Sequence, residues 1–345
     1  MAPKTILILG GTGFIGPNTV KYAVARGHTV TILTRGRSQI KVTDVEHLIG
    51  DRDHDLSALA KRKWDAVLDN NALDYRWVDR STKALKDATG HYLFVSSISA
   101  YKTEAMGYGF KDRVLAKPII DEDSARFAPP TTWKDGDVAP YGLTKALSEN
   151  LCHAAFPGRT TIVRPGLIVG PTDPTDRFTY WPVRIDEGGE VLAPGNPNHS
   201  AQVIDQRDLT EWIVRLAENG TMGNFNATGP TGRMSIAEML YGIRAVTAAP
   251  VSFTWVSESF LEEQKVSPWS DIPAWSPGEP LMYVNVSRAV AAGLTFRPLA
   301  VTARDTIEWD KTRPAAEREK RAAGMRRARE KEVLGAWHSA LGTRR

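Results

Sequence analysis

Tyr141 and Lys145 stand four residues apart in the run Tyr-Gly-Leu-Thr-Lys. On a helix those two positions share a face. An ammonium beside a phenol favours the phenolate and draws its pKa down from about 10. A tyrosine so placed can give or take a proton near neutral pH. The plainer alternative is an exposed helical pair. Upstream, YLFVSSISAY (residues 92–101) is an apolar run ending in Ser96 and Ser97. A serine there can hydrogen-bond a substrate oxygen and fix it against the phenol; otherwise it is a turn or cap serine. A third signal is LILGGTGFIG (residues 7–16), where Gly10, Gly13 and Gly16 follow an apolar run as G-x-x-G-x-x-G. Gly10 permits a tight turn, Gly13 lets backbone N–H groups approach a pyrophosphate, and Gly16 lets a helix pack close to a sheet.

These groups need a scaffold that brings them to one edge. The first half alternates strand and helix. Strands are expected at Thr5–Leu9, Thr29–Leu33, Ala66–Leu68, Tyr92–Ser96 and Thr161–Val163. Helices are expected at Phe14–Arg26, Leu56–Arg62, Trp77–Ala88 and Tyr141–Ala155. That alternation implies an α/β fold, a doubly wound parallel sheet of Rossmann type, with ligands at the carboxyl ends of its strands. From about Pro165 the pattern becomes loop-rich and tryptophan-rich, as in a smaller substrate-binding domain over the strand ends. The expected division is a dinucleotide-binding domain over residues 1–165 with 201–230 returning to it. A smaller domain covers 166–200 and 231–310, and a basic helical tail covers 311–345. A strand at Gln202–Asp205, followed by a helix at Leu209–Glu218, is expected to rejoin the main sheet. In the tail, residues 315–333 have helical propensity, and Leu334, Trp337 and Leu341 are spaced to dock one face.

Bulk composition excludes several classes. The 345 residues contain no apolar run long enough to span a bilayer, which argues against a membrane protein. One cysteine, Cys152, rules out an intramolecular disulfide and reads as a buried small apolar residue. The seven histidines form no metal-ligand cluster, so no metal is expected. Strand one begins almost at once, so no leader and a cytoplasmic location are expected. The net charge of +4 belongs to the tail: residues 311–345 carry 11 basic and 4 acidic groups, against 33 and 36 elsewhere. The pI therefore gives no ground for a nucleic-acid partner.

Taken in order, the glycine run, the post-strand serines and Tyr-x-x-x-Lys resemble the short-chain dehydrogenase/reductase superfamily. The chain is most similar to its extended branch, the NAD-dependent epimerase/dehydratase family. The likeness runs from residue 4 to about 310. It includes Ile49–Asp53, Arg164-Pro165 with Val169-Gly170-Pro171, Val203-Ile204-Asp205 with Arg207-Asp208-Leu209, and Phe225-Asn226 with Ser235–Glu238. The resemblance implies Tyr141 as acid/base, Lys145 as the group that lowers its pKa and holds the nicotinamide ribose, and Ser97 as the substrate-polarising serine. It implies cofactor contacts from Gly10, Thr12, Gly13, Phe14, Ile15, Asp51, Arg52, Asn71, Ala72 and Pro165. The implied reaction is hydride transfer between a carbinol carbon and nicotinamide C4, with Tyr141 moving the proton.

Cofactor choice can be read where the second strand ends. Thr34-Arg35-Gly36-Arg37-Ser38 has no carboxylate for a ribose 2′-OH, and Arg35 and Arg37 offer cations to a 2′-phosphate. NADP(H) is expected, with Arg35 the main contact; NAD(H) stays open. The family's dehydratases follow the catalytic residue with Asp-Glu, where this chain has Ile98-Ser99. Its nucleotide-sugar epimerases grip the diphosphate at positions that are Leu167 and Ala201 here, leaving Arg184, Arg207 or Arg177 as substitutes. Trp133, Phe178, Tyr180 and Trp181 can line a pocket for a ring-bearing or sugar-like substrate, or be core. The leading expectation is an oxidoreductase of a non-nucleotide small molecule. The alternatives are an epimerase that recycles its cofactor and an RNA-binding member of the fold. A homodimer through the Tyr141 helix is the family's usual assembly.

Overall fold

The computed structural model describes residues 2–38, 43–70, 72–102, 119–134, 137–277 and 283–342. Its first half runs β1 (Thr5–Leu9), α1 (Gly16–Ala25), β2 (Thr29–Thr34), β3 (Glu46–Ile49), β4 (Trp64–Asp69), α2 (Tyr75–Leu85), β5 (Thr89–Val95), β6 (Ile119–Ile120), α3 (Tyr141–Ala155) and β7 (Thr160–Pro165). There follow β8 (Leu167–Val169), α4 (Tyr180–Asp186), β9 (Gly189–Pro194), β10 (Val203–Asp205), α5 (Gln206–Asn219), β11 (Gly223–Ala227), α6 (Ile236–Arg244) and β12 (Val251–Val256). The chain closes with α7 (Glu258–Glu263), β13 (Tyr283–Val284), α8 (Ser287–Ala291), α9 (Leu299–Thr312), α10 (Ala315–Glu319) and α11 (Arg327–Gly342).

Seven parallel strands form the main sheet in the order β11-β7-β5-β4-β1-β2-β3. The direction of winding reverses between β1 and β4, which opens a crevice at their carboxyl ends. Alternation along β1 shows why the sheet is covered on both sides. Ile6 and Ile8 pack with Val20, Trp212 and Ile213 on the α1–α5 face. Leu7 and Leu9 pack with Val78, Cys152 and Phe156 on the α2–α3 face. Every apolar residue of a doubly covered strand is thus buried.

Several expectations change. Leu56–Arg62 forms only a 3-10 turn at Ser57–Leu59, because the chain must reverse into β4 and Lys61 takes a φ of 61°. The strand of Gln202–Asp205 pairs with β8, not with the main sheet. The seventh strand is β11, whose GNFNA sequence has little β propensity. β3 was not anticipated either: it is an edge strand of pattern EHLI without a buried run.

A second core sits over the strand ends. Phe178, Trp181 and Trp275 fill it, with β9 paired to β12 and helices α4, α6 and α9 around it. Phe178 and Trp181 have no exposed surface, and the Trp181 indole N–H donates to the Pro273 carbonyl at 2.7 Å. Both are core side chains and not pocket walls, which corrects their assignment to the substrate. The tail belongs to the same body. It is not one helix over 315–333: it breaks after α10, where Gly324, at a φ of 105°, lets the backbone lie against the Tyr180 ring. Val333 and Leu334 are buried, Trp337 meets Phe260 edge-on at 5.0 Å, and Leu341 stays exposed.

Candidate active site

The loop between β1 and α1 is shaped by three different demands on its glycines. Gly10 has a φ of 88°, a conformation costly for other residues. A Cβ at Gly16 would sit 2.4 Å from the Gly11 carbonyl carbon, so Gly16 is required by packing. A Cβ at Gly13 would meet nothing closer than 3.9 Å. The protein itself gives no reason for a glycine there, and the open space above it fits a pyrophosphate drawn against the backbone at the start of α1. Thr12 and Phe14 flank that space half-buried, and Ile15 anchors the loop in the core. Beside it, Asn70 donates weakly to Thr19 at 3.4 Å while its Oδ1 is buried without a partner. An orphaned acceptor on the crevice floor fits a hydrogen-bond donor from a bound dinucleotide.

Arg35 and Arg37 lie exposed in the turn after β2, where the Gly36 N–H donates to Thr34 Oγ1 at 3.1 Å. Asp51 follows β3 and accepts from the Asp53 N–H at 3.0 Å. Arg52 is placed differently from expectation. Its guanidinium turns inward and makes a bidentate pair with buried Asp69, at 2.7 and 2.6 Å, with a further bond to Ser81. Asp69 also accepts from the Tyr92 hydroxyl at 2.7 Å. Arg52 is committed to the sheet's interior, so it braces the Asp51 turn and does not itself reach a ligand. Asn71 lies outside the described residues. Ala72 is buried just beyond β4, and Pro165 ends β7 in the sheet.

Ser97, Tyr141 and Lys145 come together at the end of β5. Ser97 caps a short 3-10 turn, Ile98–Ala100, its Oγ accepting from the Ser99 N–H at 3.1 Å. Tyr141 is the first residue of α3 and is 47% exposed. Lys145, one turn on, is buried. Its Nζ donates to the Val95 carbonyl at 3.1 Å and lies 5.6 Å from the centre of the Tyr141 ring. Burial lowers the Lys145 pKa to about 8.

Sequence reading missed Glu149, the next residue on the Tyr141–Lys145 stripe. It is fully buried, accepts from the Ser96 hydroxyl, and takes two bonds from Arg164 at 2.9 and 2.7 Å and one from Arg126 at 2.7 Å. Arg164 also donates to the Tyr101 hydroxyl at 2.8 Å, and Tyr101 donates to Asn226 at 2.6 Å. The spacing of 141, 145 and 149 was the available signal.

Of the arginines offered as diphosphate substitutes, Arg184 is buried against Glu330 at 2.7 Å and the Gly188 carbonyl at 2.9 Å. Arg207 is spent on Asp205 and Asp305, at 2.7 and 2.6 Å. Neither is available to a phosphate. Arg177 is half-buried and bonds Thr175 at 3.0 Å. Trp133 is half-buried and packs on Tyr75 at the start of α2, with ring centres 6.4 Å apart.

Residues 6–227 match the NAD dependent epimerase/dehydratase family. The chain belongs to that family. Within it, the protein is 25% identical over 275 residues to dTDP-4-dehydro-6-deoxy-D-allose reductase of Streptomyces bikiniensis, covering 72% of this chain and 83% of that one. It is 26% identical over 245 residues to the chloroplast stem-loop binding protein of 41 kDa b of Arabidopsis thaliana, covering 66% of this chain and 59% of that protein. The Bordetella bronchiseptica enzyme WbmH, solved with NAD+, superposes with a TM-score of 0.63 at 14% identity, covering 90% and 99% of the two chains. That last likeness concerns the fold alone. Family membership accounts for the Rossmann-type parallel sheet, a fold that the family's reductases and epimerases share. Among the described residues no group of acidic, histidine or cysteine side chains is arranged to hold a metal, and no helix is long and apolar enough to cross a membrane.

Proposed function

We propose that this family member is an NADP(H)-dependent oxidoreductase that interconverts a carbonyl and an alcohol on a non-nucleotide small molecule. The observation that carries the reading is the Lys145 ammonium, buried beneath the Tyr141 ring and anchored on Val95, beside the Ser97 turn. When bound, the nicotinamide supplies or accepts the hydride. Gly10, Thr12, Gly13, Phe14 and Ile15 would hold the pyrophosphate, Asp51 the adenine, Arg35 the 2′-phosphate, and Ala72 and Pro165 would flank the nicotinamide side. In carbonyl reduction Tyr141 Oη gives its proton to the substrate oxygen. Lys145 favours the phenolate that results. Ser97 Oγ, which accepts from the Ser99 N–H, keeps its proton and donates a hydrogen bond to the same oxygen, fixing the substrate.

The commitment of Arg184 and Arg207 to carboxylates supports a substrate without a diphosphate. With Phe178, Tyr180 and Trp181 in the core, Trp133 is what remains of the aromatic side chains expected to line a pocket, so the case for a ring-bearing substrate weakens and a sugar-like one is as well supported.

The test is a panel of alcohols, ketones and sugars with NADP(H), run beside Tyr141→Phe. We expect net NADPH consumption and a loss of at least a hundredfold in kcat in the variant. Turnover of substrate with no net NADPH consumed would favour the epimerase instead. The name of the Arabidopsis relative, a stem-loop binding protein, bears on the alternative of an RNA ligand. Against it, four of the tail's cations are paired: Arg313 with Asp176, Arg321 with Asp310, Arg327 with Glu330 and Arg329 with Glu332.

A further inference from the structure

The segment that carries Ser97 is held on α3 at several points. Lys145 takes the Val95 carbonyl at 3.1 Å. One turn deeper, Glu149 takes the Ser96 hydroxyl, and it is itself fixed by Arg164 and Arg126. Arg164 reaches on to the Tyr101 hydroxyl, at the far end of the same turn. In the middle, α3 and the turn touch through their backbones. A Cβ on Gly142 would lie 2.3 Å from the Ser99 carbonyl oxygen and 2.9 Å from the Phe127 ring. A ring can swing away, but a backbone carbonyl moves only if the turn moves. Gly142 is therefore the one helix position at this contact where the absence of a side chain sets how near the Ser97 turn comes to Tyr141.

We propose that Gly142 and Glu149 are positioning residues that keep Ser97 in register with Tyr141. The proposal rests on the reading of those two side chains as the substrate-facing pair. Neither residue belongs to the glycine loop or the β2 turn, so cofactor binding should not depend on them. Helix propensity makes the opposite forecast for Gly142: alanine is the better helix former, and Gly142→Ala would be neutral or stabilising if no contact opposed it. The Ser99 contact reverses the sign.

Gly142→Ala and Glu149→Gln test this in the full chain. Amide hydrogen exchange reads the turn directly, since the N–H groups of Ala100 and Tyr101 donate to the Ser97 and Ile98 carbonyls. Exchange at these amides should rise at least tenfold, on the order of the opening free energies that separate local from global unfolding. Exchange in β1 and β4 should stay at the wild-type rate. The Kd for NADPH, read by nicotinamide fluorescence, should stay within about twofold of wild type. With a carbonyl compound that the wild type reduces, kcat should fall about tenfold or more while the KM for NADPH holds. Wild-type exchange in Gly142→Ala would overturn the proposal. So would a uniform rise across the sheet, or full recovery in Gly142→Ala with Phe127→Ala, which would reduce the contact to ring packing. If Glu149→Gln does not fold, Gly142→Ala decides alone. If the wild type reduces no carbonyl compound, the proposed function fails and the exchange result still stands or falls separately.

Discussion

Lys145 shows the trade at the scale of one residue. Its ammonium is shut away from water under the Tyr141 ring, and burial brings its pKa from 10.5 to about 8. Between those values the unfolded chain binds the proton and the folded chain has released it, so stability rises as pH climbs through that window. At neutral pH the buried charge is a cost. Lys145→Met should therefore stabilise the fold at pH 7, by at most about 3 kcal/mol before the lost bond to Val95 is subtracted. It should also cut turnover at least about a hundredfold. Thermal unfolding and kcat measured side by side check this; a lower melting temperature would refute the cost. In the wild type, kcat/KM should decline above pH about 8, as Lys145 loses the charge that favours the phenolate. A second residue-scale forecast concerns Arg35. Arg35→Ala should weaken NADPH about tenfold to a hundredfold and leave NADH unchanged, since only the former carries a 2′-phosphate. Tighter binding of NADH than NADPH by the wild type would remove the preference itself. The placing of Tyr141 and Lys145 on one helix face, beside the Ser97 turn, was legible because helix spacing and a strand end are local properties. Arg52 was misread because its partner, Asp69, is 17 residues away on another strand.

The glycine loop is the element whose design can be separated by substitution. Gly16 meets backbone atoms from Gly10 and Gly11, while Gly13 meets open space. Gly16→Ala should destabilise the fold by about 1–3 kcal/mol, the cost of overpacking. Gly13→Ala should leave the melting temperature nearly unchanged and weaken NADPH binding by more than about tenfold, because its methyl group projects where the pyrophosphate belongs. Thermal unfolding and fluorescence titration of both variants distinguish the two roles. Strands β1, β2, β4, β5 and β7 were readable because buried parallel strands are continuous apolar runs. β3 and β11, the two edges of the sheet, were not: an edge strand is half-exposed, and its place is set by the neighbour it pairs with.

For the whole molecule, the tail is a structural part of the upper body. Glu330 on α11 is buried, pairs with Arg184 on α4, and accepts the Leu192 N–H of β9 at 3.1 Å. Three elements meet on one carboxylate. Removing its charge leaves Arg184 buried and uncompensated, which costs about 3–5 kcal/mol. Glu330→Gln should thus lower the melting temperature clearly, while NADPH still binds the folded fraction with wild-type affinity, since Glu330 joins α11 to α4 and β9 whereas the glycine loop lies between β1 and α1. Loss of NADPH affinity alongside stability would place the tail in the cofactor site. The same pairing bears on nucleic acid. With Arg313, Arg321, Arg327 and Arg329 held by carboxylates, RNA binding at low salt, where phosphate contacts are strongest, should be absent. A filter-binding titration with a stem-loop RNA checks it.

By itself the sequence determined the fold class, the glycine turn after β1 and the placing of Tyr141 and Lys145 on one helix face beside the Ser97 turn. Each of these follows from near neighbours: the period of a strand, the face of a helix, the backbone freedom of a glycine. Tertiary structure alone decided which side chains were left over for a ligand. Phe178 and Trp181 went to a core, Arg52 to Asp69, Arg207 to Asp205 and Asp305, and Arg184 to a glutamate 146 residues further along the chain. Burial and charge pairing depend on what the fold brings into contact from a distance, and no local pattern of residues carries that information.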